Sequence, residues 1–208
     1  MTTPPLELNV EIIDSTTAYK GFLSIKKIRL RHRLFNGDMS PVITRELMER
    51  GQAVAVLLYD QQLDAVVMVE QFRIGAIDDE KSAWLLELVA GVIEEGEQPE
   101  DVARRESIEE AGCQLHQIKL ISNYYVSPGG CTEKIYIYFA QIDSRGLHGT
   151  IAGVATEYED IRVRVLPWQK IEKMLDIGTI NNAAAIIGLR WLQIQKLTNS
   201  IEPVQKNN

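Results

Sequence analysis

Residues 91–113 read GVIEEGEQPEDVARRESIEEAGC. This stretch carries the strongest helix signal in the chain. Pro99 suits a first helical turn, Glu100 and Asp101 complement the positive end of a helix, and Gly112 fits the position just past the last turn. A helix is therefore expected over 99–111. Its second half crowds Glu106, Glu109 and Glu110. Residues three and four apart share a helix face, so Glu106 stands beside both of the others, and like charges so placed destabilise a helix unless a cation offsets them. Converging carboxylates suit a hard divalent ion such as Mg2+, which takes oxygen ligands. A solvated acidic face, partly neutralised by Arg104 and Arg105, is the alternative for such a cluster taken alone.

Upstream of this helix the chain reads as strands. The first forty-odd residues are expected to form short ones: residues 25–32 alternate with period two, and Asn36-Gly37-Asp38 is turn chemistry. Apolar runs at 53–59 and 65–72, joined by 60–64, predict a hairpin, and 84–90 predicts one more strand ending at Gly91. Downstream, strands are expected over 120–126, 134–142 and 161–166, with a loop over 144–160. Helices are expected over 167–177 and 182–197, followed by a frayed tail. A composition shift near Glu49-Arg50-Gly51 divides the chain into an N-terminal β subdomain (1–50), a main domain (51–198) and a flexible tail (199–208). Trp84, Trp168 and Trp191 are taken as packing residues.

Composition narrows the function classes. Of 208 residues, 45% are hydrophobic and 25% charged, which excludes a disordered chain, a collagen and a coiled coil. Lys and Arg number 22 against 29 Asp and Glu, a formal charge of −7, which argues against a nucleic-acid binder working through a basic face. No apolar run has the length of a membrane span and the first residues do not resemble a signal peptide, so a cytoplasmic protein without membrane partners is expected. Cys113 and Cys131 are expected to be free thiols, and the scattered His32, His116 and His148 form no zinc pattern.

The spacing within 91–113 is more specific than its composition. Gly91 is followed after five residues by Glu97, and after seven more by Arg105-Glu106, then Glu109-Glu110 and Gly112. This resembles the Nudix box, GX5EX7REUXEEXGU with U a bulky apolar residue, at all seven fixed identities. At about 5–7% usage per residue type, seven matches have a chance on the order of 10^-9 per starting position. Ser107 and Cys113 occupy the two U positions; Cys113 is an acceptable small hydrophobe, while Ser107 weakens a packing contact but touches no charged role. Gly91 is read as permitting a tight passage from strand to loop. Glu97 is read as bracing the loop through Arg105, and Glu109 stays open between direct, bridging and supporting roles.

Outside the box, Glu70-Gln71-Phe72-Arg73-Ile74-Gly75 and Ser127-Pro128-Gly129-Gly130 are similar to the bacterial ADP-ribose pyrophosphatases of this family, in which a proline sixteen residues after the last box glycine marks ADP-ribose specificity; Gly112 and Pro128 have that separation. The likeness runs over about 22–197, including Glu157-Tyr158-Glu159-Asp160 and Asn181-Asn182-Ala183-Ala184. It implies an α/β/α sandwich on a mixed sheet, with a small N-terminal β subdomain. It implies hydrolysis of ADP-ribose to AMP and ribose 5-phosphate with Mg2+, or Mn2+ in its place. It further implies that the Ala90 carbonyl, Glu106, Glu110 and Glu159 hold the metal and that Glu157 is the catalytic base. Phe22 would stack on adenine, Arg45 would hold the nucleoside, Arg50 and Arg73 would face the diphosphate, and Ser127 to Gly129 with Glu133 would fix the terminal ribose. The family forms homodimers with swapped N-terminal strands, which would place Phe22 in the neighbouring subunit's site.

Read without that likeness, Phe22 is a core residue, Arg45 and Arg50 belong to a charged turn, Glu133 is a strand-edge charge, and Glu157 and Glu159 are solvated. Two other functions remain in view. One is a Nudix hydrolase of other nucleoside diphosphate derivatives. The other is a non-catalytic ADP-ribose sensor, disfavoured because such modules usually lose box carboxylates and this chain has all of them.

Overall fold

The computed structural model describes residues 9–154, 156, 158–198 and 200–201. The chain divides into two compact units: the residues up to Gly51 together with Tyr125–Glu133, and Gln52–Tyr124 together with the residues from Lys134 onward.

In the first unit, β1 (Val10–Lys20), β2 (Ser24–His32) and β3 (Ile43–Glu49) form an antiparallel sheet in that order. The strands expected here to be short include an eleven-residue β1 and a nine-residue β2. Met48 N–H donates to the Gly130 carbonyl at 2.8 Å, and Thr132 N–H donates to the Met48 carbonyl at 3.0 Å. These two bonds attach the distant segment Tyr125–Glu133 to β3.

The second unit grows from its apolar runs. Its strands are β4 (Gln52–Asp60), β5 (Ala65–Phe72), β6 (Trp84–Glu87), β7 (Val89–Ile93), β8 (Lys119–Tyr125, whose last residue belongs to the first unit), β9 (Lys134–Gln141), β10 (Ile151–Ala152) and β11 (Ile161–Pro167). Its helices are α1 (Pro99–Ala111), α2 (Trp168–Asp176) and α3 (Ala183–Leu197). Side chains alternate across a strand, so an unbroken apolar run is a strand buried on both faces. In β4, Val54, Val56 and Leu58 pack with Val102, Ala103 and Ala111 of α1. The alternate residues Ala55, Leu57 and Tyr59 pack with Ile171 and Leu175 of α2 and with Ala185, Leu189 and Leu192 of α3. The result is the expected α/β/α sandwich. Its sheet runs β10-β11-β5-β4-β9-β8 and is mixed, because β4 and β9 are parallel while β4–β5 and β5–β11 are antiparallel.

The single strand expected over 84–90 is two, interrupted at Leu88: β6 pairs with β5, and β7 crosses to pair with β4. Gly91 consequently lies inside β7 rather than at a strand end. The loop expected over 144–160 contains β10. Pro167 and Asn182 precede their helices as caps, Asn182 Oδ1 accepting from Ala185 N–H at 3.1 Å. Trp168 is buried and Trp191 packs on Phe139, whereas Trp84 is exposed and meets the Phe72 ring in an edge-on pair. Of the tail, all but Ser200 and Ile201 lies outside the described residues. No helix among the described residues is long and apolar enough to cross a membrane.

The β4–β5 hairpin is fastened by Asp60, which is buried. Its Oδ1 accepts from the N–H groups of Gln62 and Leu63, and its Oδ2 from the N–H and hydroxyl of Ser144. Burial pushes this carboxyl pKa up, but those hydrogen bonds outweigh it and hold the pKa below the ordinary value of 3.8. Ionised Asp60 therefore stabilises the fold above pH 3.8, and that contribution is lost as pH falls through the lower folded value. Asp60→Ala orphans three backbone N–H groups and is expected to cost about 2–4 kcal/mol at pH 7. Urea denaturation should show this deficit, and show it shrinking as the pH is brought below 4.

Candidate active site

The acidic centre lies in the second unit and is organised by α1. The helix has Pro99 in its first turn and ends at Gly112 in the left-handed region (φ 65°), whose N–H returns to the Ile108 carbonyl. Ser107 is fully buried, but its hydroxyl donates to the Ala103 carbonyl at 2.8 Å, so the polar atom standing where a bulky apolar residue was expected is satisfied.

Glu110 is 2% exposed, and its Oε2 accepts from Ala90 N–H at 2.9 Å. Ala90 stands opposite Ala55 in the antiparallel β4–β7 ladder. Paired residues in such a ladder exchange both backbone bonds or neither, so a residue that turns its N–H away from the partner strand turns its carbonyl away as well. The Ala90 carbonyl accordingly points to the side that carries Glu110.

Glu106 lies directly against Gly91. A Cβ built on Gly91 would fall 1.9 Å from Glu106 Oε1 and 2.1 Å from its Cδ. The expected reason for this glycine, a turn, does not hold, since it sits in strand backbone; the real reason is the close approach of a carboxylate. Gly91→Ala must displace Glu106 and is expected to weaken divalent-cation binding about 10–100-fold with little loss of fold, read by calorimetric titration with Mn2+ beside a melting curve.

Burial pushes the Glu106 pKa to about 7; Arg105 pulls it down, while Glu109 and Glu159 push it further up. Burial pushes Glu110 to about 8, opposed by the Ala90 N–H and the charge of Arg73 and reinforced by Glu106 and Glu159. Glu106, Glu110 and Glu159 are therefore mutually repelling groups. Arg105 is the local counter-charge: Nη1 reaches Glu106 at 2.8 Å and Glu109 at 3.1 Å, and Nη2 reaches Glu97 at 3.5 Å. Glu97 also accepts from Glu94 N–H at 2.9 Å, the loop-bracing role expected for it. Glu109 is a supporting residue in this arrangement, its side chain on Arg105 and its carbonyl accepting from Gly153 N–H at 3.1 Å. That bond ties the acidic loop to α1. Gly153 takes φ +102°, and Glu159 Oε2 accepts from Val154 N–H at 3.1 Å. Glu157 lies outside the described residues.

Among the described residues, no three acidic, histidine or cysteine side chains stand ready-gathered around one point. What the chain offers is a half-buried and a buried carboxylate, Glu106 and Glu110, both of raised pKa, beside a carbonyl freed from its ladder, an all-oxygen donor set that fits a hard divalent cation. Arg73, in half-buried contact with Glu87 (Nε to Oε2, 2.7 Å), lowers the Glu110 pKa through its charge.

The remaining expected residues belong to the first unit. Phe22 is 98% exposed in the β1–β2 connection, so it is no core residue. Arg45 is exposed on strand β3, not in a turn, and bonds the Thr44 carbonyl. Arg50 Nε donates to Glu133 Oε1 at 3.2 Å, and its N–H donates to Thr132 Oγ1. Ser127 and Gly129 are exposed in a turn closed by Gly130 and Cys131 N–H groups on the Ser127 carbonyl. Gln71, a buried amide in the apolar run of β5, is not among the residues expected at the site; its signal in the sequence is a polar residue within VVMVEQF.

The model of the NUDIX domain matches residues 49–187. The chain is 48% identical over 186 residues to an "ADP-ribose pyrophosphatase" of Escherichia coli (strain K12), covering 89% of this chain and 88% of that protein. It is 45% identical to that of Haemophilus influenzae, covering 89% and 87%. A "GDP-mannose pyrophosphatase" of Enterobacter sp. (strain 638) is 31% identical, covering 92% and 99%. Among solved structures, "Crystal structure of ADP compounds hydrolase" is similar in fold, with a TM-score of 0.68 at 18% identity over 92% of this chain and 97% of that one.

Proposed function

This chain belongs to the Nudix family, and from that premise we propose that it hydrolyses the pyrophosphate of ADP-ribose to AMP and ribose 5-phosphate, using Mg2+ or, in its place, Mn2+. The observation that carries the chemistry is the pair of carboxylates on α1, the half-buried Glu106 against Gly91 and the buried Glu110 on the Ala90 N–H. The choice of substrate is supported by similarity over most of the chain to proteins named ADP-ribose pyrophosphatase.

In this reading Glu106, Glu110, Glu159 and the Ala90 carbonyl hold the cation. The cation supplies positive charge to the phosphate oxygens and acidifies water. Glu157 takes the proton from the attacking water, the role of a carboxylate within hydrogen-bond reach of that water. Arg73 and Arg50 face the diphosphate, where a guanidinium can give paired hydrogen bonds. Phe22 stacks on adenine, since a ring left almost wholly in water gains by being covered. Arg45 holds the nucleoside, and Ser127, Gly129 and Glu133 hold the terminal ribose. The protein acts in the cytoplasm as a homodimer with swapped N-terminal strands, Phe22 serving the neighbouring subunit. Support for the dimer is β1, the outer strand of its sheet, with exposed Val10, Ile12 and Tyr19. The division into 1–50, 51–198 and a tail is kept as a proposal about folding units.

The test is product analysis with a substrate panel in Mg2+. ADP-ribose should give AMP and ribose 5-phosphate in equal amounts with the highest kcat/KM. A preference for GDP-mannose would favour the second reading, hydrolysis of another nucleoside diphosphate sugar, which the GDP-mannose relatives motivate. Binding of ADP-ribose without any cleavage would make the protein a sensor.

A further inference from the structure

Gln71 lies within the apolar strand β5 and is only 6% exposed, yet its side-chain Nε2 is enclosed with no hydrogen-bond partner. A buried amide left bare carries a desolvation cost, which a hydrogen bond to a bound ligand would relieve. Its direction follows from the alternation of β5. Val67 and Val69 pack on the α1 side of the sheet, while Val66 and Met68 pack on the α2 and α3 side. Gln71 therefore faces the α1 side, where Glu106 and Glu110 are. Arg73 has extended backbone (φ −129°, ψ 113°) just past the strand, so it continues the alternation and stands on the same side. There its Nε holds Glu87, and its charge acts on Glu110. On the other flank, Arg162 of β11 pairs with Glu70, which brings Ile161 beside Gln71. Ile161 follows Glu159-Asp160 directly, so the acidic loop descends to the sheet next to Gln71.

We propose that Gln71 and Arg73 form a two-donor anion site in which Gln71 Nε2 donates to a phosphoryl oxygen of the bound diphosphate. The identity of that diphosphate rests on the activity proposed above, whereas the anion site does not. The pairing has a chemical logic. A second cation here would compete with the divalent ion for Glu106 and Glu110, while a neutral amide adds a donor to phosphate without pairing with either carboxylate.

The experiment uses Gln71→Met, which keeps length and removes the donor, with Gln71→Leu giving the same readout should the methionine variant not fold. KM for ADP-ribose and the Kd for methylenediphosphonate, measured calorimetrically in Mg2+, should each rise about 10–100-fold. The melting temperature should stay equal or rise, because a bare buried amide has been replaced by an apolar group; a merely structural residue would not couple higher stability to weaker anion binding. Wild-type protein that binds methylenediphosphonate more tightly than the variant but leaves ADP-ribose intact would overturn the activity and keep the anion site. Equal affinity in both proteins, or binding to neither, would overturn the anion site.

Discussion

Glu110→Gln is expected to lower kcat/KM for ADP-ribose by about three orders of magnitude, the effect of losing several kcal/mol of charge stabilisation at the phosphates. Glutamine keeps the shape and can still accept from Ala90 N–H through its oxygen, so the loss reports charge and not collapse. The same substitution should make the metal-free protein more stable at alkaline pH. The sign follows from linkage. The Glu110 pKa rises from 4.5 in the unfolded chain to about 8 in the fold, so between those values the folded state binds more protons. Stability of the metal-free protein therefore falls as pH rises through that window, and an amide at this position, which does not titrate, takes no part in the fall. Melting curves in chelator from pH 5 to pH 8 should show a shallower decline for the variant. Identical slopes would mean that Glu110 is not the desolvated carboxylate described here.

Glu157→Gln is expected to lower kcat about 10^2–10^4-fold, the range for removing a general base. KM should change little, because the glutamine occupies the same volume and a base contributes mainly in the transition state. The neighbouring Glu159→Gln should behave differently. Glu159 adds to the repulsion at Glu106 and Glu110, so its substitution should chiefly raise the Mg2+ concentration needed for half-maximal rate. Measuring kcat, KM and the Mg2+ dependence of both variants separates the roles. If Glu157→Gln turned over normally while Glu159→Gln did not, the base would be reassigned.

The parts of the molecule written in local chemistry were legible in the sequence. Helix α1 spans Pro99–Ala111 as expected because its first turn, acidic start and left-handed Gly112 are each specified by single residues. The β4–β5 hairpin was legible because two apolar runs flank the largely polar residues 60–64. The break between β6 and β7 was not, since WLLELVAGVI is apolar almost throughout and gives no period by which to place an interruption. Nor was the purpose of Gly91, because the group it accommodates, the Glu106 carboxylate, is far along the chain on the helix. Phe22 shows the converse limit. An aromatic residue among short strands reads as core, and only the hairpin geometry of β1 and β2 puts it in solvent. Gln71 lay inside a motif matched as a unit, which hid the fact that its amide is buried without a partner.

The Glu106 and Glu110 carboxylates of α1, with the Ala90 carbonyl, are proposed to form a divalent-cation site. Anomalous diffraction from a crystal soaked in Mn2+ tests it most directly. A peak is expected within coordination distance of Glu106, Glu110 and the Ala90 oxygen, with Glu106 released from Arg105. A map without a peak there, with Glu106 still bound to Arg105 and Glu110 still closed on the Ala90 N–H, would contradict it.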